Sequence, residues 1–378
     1  MSYHLTYLEA VVTGLVQGVT ELFPISSLGH NVLLPALIGG SWAKALNVSA
    51  PGSPYLAFIV GLHVATAVAM IAYFWRDWLR IVRGFVSSLR WRSITTPDQR
   101  LAWMIILGTI PVGIVGLALQ KVFTNVFAKP ELAAVFLAVN GVILLLSERM
   151  RRTRDAARGA ATVAVPPVPP RGPVPGRPMG RPGPEGYSQQ PWQQQQQGPG
   201  QQRPGQQGNG WEQYGRAQGR HAAGRAPGNQ AVPAGAAVAV SDPAVAADQR
   251  LSTMSYKQAV VVGAAQILAL LPGISRDGMV TVAGMWRGLR RDDAVRFSFL
   301  LSAPVILAAG VLKAHDLTGP MTKGMHGPVL VGSLIAGVSA FLSVRFLTKY
   351  FSEDKSLNPF GIYCLVAGLG SLAYLVIK

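Results

Sequence analysis

Three side chains near the start of the chain have the types and spacing of a nucleophile with a base beside it. Glu21, Ser27 and His30 lie close together in an otherwise largely apolar segment. A hydroxyl near an imidazole and a carboxylate suits an activated nucleophile, and an ionisable residue at membrane depth is costly and so indicates function. Two structural alternatives stay open: Glu21 as a surface residue reaching water, and Ser27 as a helix cap.

A second group of residues, in the second half of the chain, suits an anion. The motif PGISR predicts a helix break in which Gly273 allows close backbone approach. Ser275 can cap the next helix, and Arg276 offers a planar fork for phosphate oxygens. The free N–H groups of that helix favour the same ligand. The alternative is that Arg276 pairs only with a carboxylate, either Asp277 or Glu21.

Both groups belong to one internal repeat. Residues 7–29 and 256–278 are identical at ten of twenty-three positions, at a fixed offset of 249. Each copy is an apolar segment that ends in a Pro/Gly/Ser turn, and a repeated, broken apolar segment points to a site at membrane depth. The copies differ at the positions of the candidate catalytic residues, where Glu21, Ser27 and His30 correspond to Leu270, Arg276 and Met279.

The composition is that of a membrane protein. Hydrophobic residues make up 49% of the 378 positions and charged residues 13%. Six apolar runs approach the roughly 20 residues that a span needs: 55–75, 101–120, 131–147, 297–313, 328–347 and 359–377. Each repeated segment precedes three runs, so the second half must enter the membrane from the opposite side. We predict an all-α integral membrane protein with six transmembrane helices and two re-entrant helix hairpins in an inverted-topology repeat.

Charge and low-complexity sequence divide the chain into three parts. These are a first membrane repeat over 1–148, a Pro/Gln/Gly/Arg-rich insert over 149–250 and a second membrane repeat over 251–378. The insert is predicted to be disordered, since it cannot bury a core; binding of a partner or of anionic lipid is the alternative. Arginines cluster in alternate loops, which places both termini outside and the insert in the cytoplasm. No nucleic-acid-binding motif accompanies the net charge of +17, so no nucleic-acid partner is expected.

Two other residues are assigned structural roles. Cys364 is the single cysteine and lies in an apolar run, so no intramolecular disulfide can form and a buried thiol is expected. His63 lies in the middle of a predicted span and is expected to be a packed or hydrogen-bonded core residue.

At these residues the chain resembles the bacterial undecaprenyl-diphosphate phosphatase family of the bacitracin-resistance type. The family's first motif, an acid or amide followed four residues later by Glu, matches Gln17 and Glu21. Its Pro-x-Ser-Ser-x-Gly-His matches residues 24–30, and its Pro-Gly-x-Ser-Arg matches residues 272–276. The resemblance covers both breaks, the stretch 287–304 and the six spans, but not the insert. Three positions depart from the family's pattern: Leu28, Asp277 and Val280.

The resemblance implies a multi-pass phosphatase of the bacterial plasma membrane. It would hydrolyse undecaprenyl diphosphate, a polyprenyl diphosphate lipid, to the monophosphate and so recycle the cell-wall carrier lipid. A divalent cation, Mg²⁺ or Ca²⁺, and a catalytic pocket open to the outer face are implied as well. The assignments are catalysis to Glu21, Ser27, His30 and Arg276, substrate binding to Ser26, Gly29, Gly273, Ser275 and Arg276, and metal binding to Gln17 and Glu21.

Ser27 is the candidate nucleophile, with His30 as its base or as the acid for the leaving group. Arg276 and two helix N-termini would hold the diphosphate. Direct attack by water, activated by Glu21 or His30, is the competing mechanism. The main alternative function is a lipid-carrier flippase or anion transporter, which inverted repeats also serve. A catalytically inactive scaffold is a third hypothesis, and a homodimer stays open.

Overall fold

The structure is a computed structural model that describes residues 5–46, 54–126, 129–163, 242–312 and 325–378. Within these ranges all regular structure is helical. A 3₁₀ segment, Ala265–Leu270, continues α9. The α-helices are α1 (Tyr7–Leu22), α2 (Ser27–Ile38), α3 (Gly40–Ala45), α4 (Pro54–Tyr73), α5 (Trp75–Trp91), α6 (Pro97–Val126), α7 (Pro130–Val163), α8 (Pro243–Ser252), α9 (Tyr256–Ala264), α10 (Arg276–Trp286), α11 (Arg291–Leu312), α12 (His326–Ser352) and α13 (Asn358–Ile377).

Apolar helices of membrane-spanning length dominate the described residues. Five helices, α6, α7, α11, α12 and α13, are each long and apolar enough to cross a membrane. A sixth candidate is the pair of α4 and α5, which are bent by 87° at Phe74. Each predicted apolar run overlaps one of these helices or α4. The prediction of an all-α protein with several membrane-spanning helices is therefore confirmed.

The first helix of each repeat packs against the other half of the chain. α1 lies along α12, and α9 lies along α6. A side-chain carbon on Gly14 would collide with the backbone of Gly332, and one on Gly263 would collide with the backbone of Gly108. Gly14 and Gly263 are equivalent positions of the repeat, so the two contacts correspond. Both helices also begin with equivalent capping boxes, Thr6 with Glu9 and Ser255 with Gln258.

Both ends of the predicted insert, 149–250, are helical in the described residues. Its first residues continue α7, and its last residues form most of α8. α8 is held in place because Asp248, 1% exposed, accepts hydrogen bonds from Arg80 at 2.7 Å and from Arg296 at 2.8 Å. The average composition of the insert is that of a low-complexity sequence, so it did not indicate this short helix or its ionic contacts. Residues 164–241 lie outside the described residues.

Candidate active site

Ser26 joins the two helix breaks. It has a φ of +69°, a left-handed conformation that is uncommon for residues other than glycine. Its Oγ accepts hydrogen bonds from the Gly29 N–H at 3.2 Å, as the cap of α2, and from the Gly273 N–H at 3.1 Å. Gly273 has a φ of +105°, and a side chain there would collide with the backbone of α7. The predicted substrate-binding residues of both breaks are thus in direct contact.

Asn140, on α7, ties the breaks together from a third helix. Its Nδ2 donates to the Pro24 carbonyl at 2.9 Å, and its Oδ1 accepts from the Ser275 N–H at 3.0 Å. Ser275 caps α10 through a hydrogen bond from the Gly278 N–H at 3.1 Å, as Ser26 caps α2. Asn140 is fully buried, and sequence reasoning missed it. A polar amide in the middle of a predicted span was the available signal.

Glu21 is the centre of the site. Its carboxylate accepts hydrogen bonds from Arg276 Nη2 and from Ser27 Oγ. Gln17 Nε2 donates to it at 3.0 Å, and His63 Nε2 lies 3.2 Å away. The side chain is only 3% exposed, and a buried carboxylate is tolerated where it is paired and hydrogen-bonded. Because Glu21 and Arg276 come from different breaks, their ion pair links the two copies of the repeat.

His63 reaches the site instead of serving only as a core residue. Its Nδ1 lies 2.9 Å from the Ile59 carbonyl, and its Nε2 faces Glu21. A carbonyl and a carboxylate can only accept, so both contacts are hydrogen bonds when each ring nitrogen carries a proton. In that state the imidazolium adds a second positive charge beside Glu21.

His30 turns away from the carboxylate, so the predicted pairing of Ser27 with His30 does not form. His30 Nδ1 donates to the Ser26 carbonyl at 2.7 Å, and Nε2 accepts from the Tyr363 hydroxyl at 2.8 Å. The two rings also stack, with centroids 5.8 Å apart. Ser27, the first residue of α2, instead directs its hydroxyl back to Glu21 on α1. Neighbouring helices therefore separate two side chains that the sequence spacing placed together.

A cavity of about 360 Å³ lies beside the carboxylate. Its polar lining includes Glu21, Ser27, His63, Gln266 and Arg276, and most of the remaining wall is apolar. Because Ser27 and Arg276 begin α2 and α10, both helix N-termini lie at the cavity. Arg276 Nε and Gln266 Oε1 have no hydrogen-bond partner among the described residues. A buried guanidinium N–H without a partner, beside two helix N-termini, suits an anion.

The residues around Glu21 fit a divalent cation that takes most of its ligands from a substrate. In the described ranges no three His, Cys, Asp or Glu side chains cluster as metal ligands. Gln17 turns its Nε2 toward Glu21, while its Oε1 accepts from Asn31 Nδ2 at 2.6 Å. Mg²⁺ is commonly held by one or two carboxylates together with substrate phosphates. Glu21 is a carboxylate of that kind, so the site fits the ion without forming an all-protein cage.

Fold and site together define a class: a multi-pass helical membrane protein with a buried, apolar-walled pocket that suits an anion. The comparison with known families agrees with this class. The family model described as bacitracin resistance protein BacA matches residues 10–165 and 230–370. The chain belongs to this family, which confirms the resemblance in its motifs.

Proteins from several bacteria are similar to the chain over nearly its whole length. An undecaprenyl-diphosphatase of Mycolicibacterium paratuberculosis is 47% identical over 378 residues, with all of both chains covered. Undecaprenyl-diphosphatase 2 of Frankia alni is 47% identical over 370 residues, which cover 97% of each chain. Undecaprenyl-diphosphatase 2 of Burkholderia orbicola is 32% identical over 367 residues, covering 97% of this chain and 96% of the relative.

Proposed function

We propose that this protein hydrolyses undecaprenyl diphosphate to undecaprenyl phosphate and inorganic phosphate. In this way it recycles the carrier lipid for peptidoglycan synthesis and confers bacitracin resistance. The observation that carries the proposal is the Glu21–Arg276 pair, which sets a carboxylate and a guanidinium where two helix breaks meet. The names of the similar proteins support the same reaction.

Arg276 is the residue proposed to hold the diphosphate. One of its nitrogens donates to Glu21, while its Nε has no partner in the described ranges, so the same guanidinium can also bind a phosphate oxygen. The first N–H groups of α2 and α10 add further donors. The backbone that presents them is shaped by Ser26, Gly29, Gly273 and Ser275.

Ser27 is proposed as the nucleophile and Glu21 as its base. As Ser27 Oγ bonds to the terminal phosphorus, its proton moves to the carboxylate to which it already donates. The bond between that phosphorus and the bridging oxygen breaks, and undecaprenyl phosphate leaves. Water then attacks the phosphoserine, the bond between phosphorus and Ser27 Oγ breaks, the proton held by Glu21 returns to Ser27 Oγ, and inorganic phosphate leaves. His30, which sequence reasoning assigned as base or acid, is proposed to support catalysis by holding the break against Tyr363.

A divalent cation, Mg²⁺ or Ca²⁺, is proposed to bind at Glu21 with the diphosphate. Such an ion supplies positive charge that stabilises the transferring phosphoryl group. Gln17, which the sequence also assigned to metal binding, is proposed to orient this carboxylate through a hydrogen bond from its Nε2. Chelation is expected to abolish phosphate release, and added Mg²⁺ to restore it.

The finer architecture is part of the proposal: six transmembrane helices and two re-entrant hairpins, α1–α2 and α9–α10, in an inverted-topology repeat. Its support is the equivalence of the close contacts at Gly14 and Gly263 and of the helix caps at Ser26 and Ser275. The distribution of arginines supports a pocket that opens to the outer side of the bacterial plasma membrane, with residues 149–250 in the cytoplasm. The apolar cavity wall suits the first units of a polyprenyl tail.

Phosphate release from undecaprenyl diphosphate by the detergent-purified protein tests this function. Glu21→Gln and Ser27→Ala are expected to lower the rate at least a hundredfold, because each removes a group that we place at the reacting atoms. The matched control is Glu131→Gln, an exposed carboxylate at the start of α7, which should behave as wild type. Absence of release from the wild-type protein would refute the function. Substantial activity in Ser27→Ala would instead favour direct attack by water.

A lipid flippase or anion transporter is the second candidate. Equivalent packing of the two repeats favours it, because inverted repeats are typical of alternating access. The proposed catalytic residues argue against it, because the two copies are not equivalent there: Glu21 and Ser27 correspond to Leu270 and Arg276 in the second copy. Movement of labelled undecaprenyl phosphate across liposomes, without hydrolysis of the diphosphate, would favour this candidate.

A further inference from the structure

The residue after Arg276 is a buried carboxylate that the proposed reaction does not use. Asp277 is only 3% exposed and does not line the cavity beside Glu21. Its Oδ1 accepts a hydrogen bond from Ser302 Oγ on α11 at 2.5 Å. Its Oδ2 has no hydrogen-bond partner in the part of the chain that the structure describes. A buried, unsatisfied carboxylate oxygen calls for a ligand.

A second and much smaller cavity lies at this carboxylate. It measures about 10 Å³, and its polar lining is Asp277, Thr281 and Ser298. This volume is about that of one water-sized particle. Ser298 uses its proton in a hydrogen bond to the Val295 carbonyl at 2.9 Å, so its oxygen lone pairs remain available as acceptors. No side chain in the described residues donates a hydrogen bond to Asp277 Oδ2, and the hydroxyl oxygens of Thr281 and Ser298 line the same cavity.

Charge balance favours a cation in this cavity. Arg276 directs its guanidinium to Glu21, and Asp277 forms no ion pair among the described residues. An ionised carboxylate that is buried without a partner is strongly unfavourable, so a buried charge is normally paired or bound to a metal. The first repeat has no equivalent, since the corresponding residue is Leu28.

We propose that the cavity binds a single Na⁺, with Asp277 Oδ2 and the hydroxyl oxygens of Thr281 and Ser298 as ligands. One carboxylate balances one positive charge, and oxygen ligands suit a hard cation. Mg²⁺ does not suit the cavity, because it retains several waters in an octahedral shell and about 10 Å³ leaves no room for them. Bound Na⁺ cancels a negative charge next to Arg276, so less negative charge opposes the anion that Arg276 binds in the larger cavity.

Thermal unfolding of the detergent-purified full-length protein tests this site. NaCl is compared with choline chloride at constant ionic strength. The Tm is expected to rise by about 3–5 °C when NaCl reaches a hundred times its dissociation constant, and choline chloride should have no such effect. Asp277→Asn keeps the shape of the side chain but removes its charge, and it should abolish the Na⁺ response. Glu131→Gln removes an exposed carboxylate and should retain it.

Direct binding of radiolabelled Na⁺ keeps the test decisive if Asp277→Asn does not fold. Wild-type protein should bind one ion per chain, and Thr281→Val should weaken the binding about tenfold, the effect of a lost contact of about 1.4 kcal/mol. Equal stabilisation by NaCl and choline chloride would overturn the proposal. So would a full Na⁺ response in Asp277→Asn, or no saturable Na⁺ binding by the wild-type protein, which would mean that the carboxyl group holds a proton instead.

Discussion

Asn140→Ala tests whether one amide on α7 holds the two helix breaks together. The substitution leaves the Pro24 carbonyl and the Ser275 N–H without their hydrogen bonds of 2.9 and 3.0 Å. Each unsatisfied buried group costs about 1–3 kcal/mol, so the free energy of unfolding should fall by about 2–6 kcal/mol. For a chain of this size 1 kcal/mol corresponds to about 1–2 °C, so the Tm should fall by at least about 2 °C. Because the breaks carry Glu21 and Arg276, kcat/KM should also fall at least about tenfold, which needs a barrier increase of only about 1.4 kcal/mol.

Thermal unfolding in detergent measures the change in Tm. Phosphate release from undecaprenyl diphosphate, assayed well below the Tm of both proteins, measures the change in kcat/KM. Asn140→Asp refines the test, since it keeps the acceptor for the Ser275 N–H and loses the donor to Pro24. Asn358→Ala, at the start of α13, is the matched control and should change neither value. A Tm within about 1 °C of wild type, with kcat/KM unchanged in Asn140→Ala, would refute the bridging role.

The remaining predictions concern the partners of Glu21 and the ends of the insert. His63→Ala should lower kcat/KM about 10- to 100-fold, because a hydrogen bond to a charged group contributes about 1.5–3 kcal/mol; unchanged phosphate release would contradict this. Arg276→Lys should lower kcat/KM by a similar factor, because a lysine ammonium group cannot contact the carboxylate and a phosphate oxygen at once as the planar guanidinium does. Wild-type kinetics in this variant would show that the guanidinium geometry is not needed. Deletion of residues 165–238 should leave both Tm and phosphate release within error of wild type, since it spares α7 and α8. Asp248→Asn should lower the Tm by about 5 °C or more, because it weakens a buried ionic contact. A lower Tm after the deletion, with a wild-type Tm for Asp248→Asn, would exclude a structural role for α8.

The helix breaks and the apolar helices were predictable because their signals are local. Pro24 cannot continue a helix, Ser26 and Ser275 are good helix caps, and long apolar runs leave helix as the structure that satisfies the backbone in lipid. The repeat also predicted that Glu21 and Arg276 lie in equivalent breaks, and the structure brings these two side chains into contact. The helix near the end of the insert had no such local signal, because average composition over a long segment does not detect one short helix held by two ion pairs.

The sequence by itself determined which residues are available for chemistry and where the two helix breaks lie, since both depend on residue type and spacing along one chain. Only the tertiary structure decided which of these residues meet. His30 had the spacing of a partner for Ser27, yet Tyr363 on α13 holds it elsewhere. His63 and Asn140 come from helices that no local pattern connects to the breaks, and each supplies a hydrogen bond there. The physical reason is that a helical register sets the direction of a side chain relative to its own helix, whereas the neighbour in that direction is set by packing between segments distant in sequence.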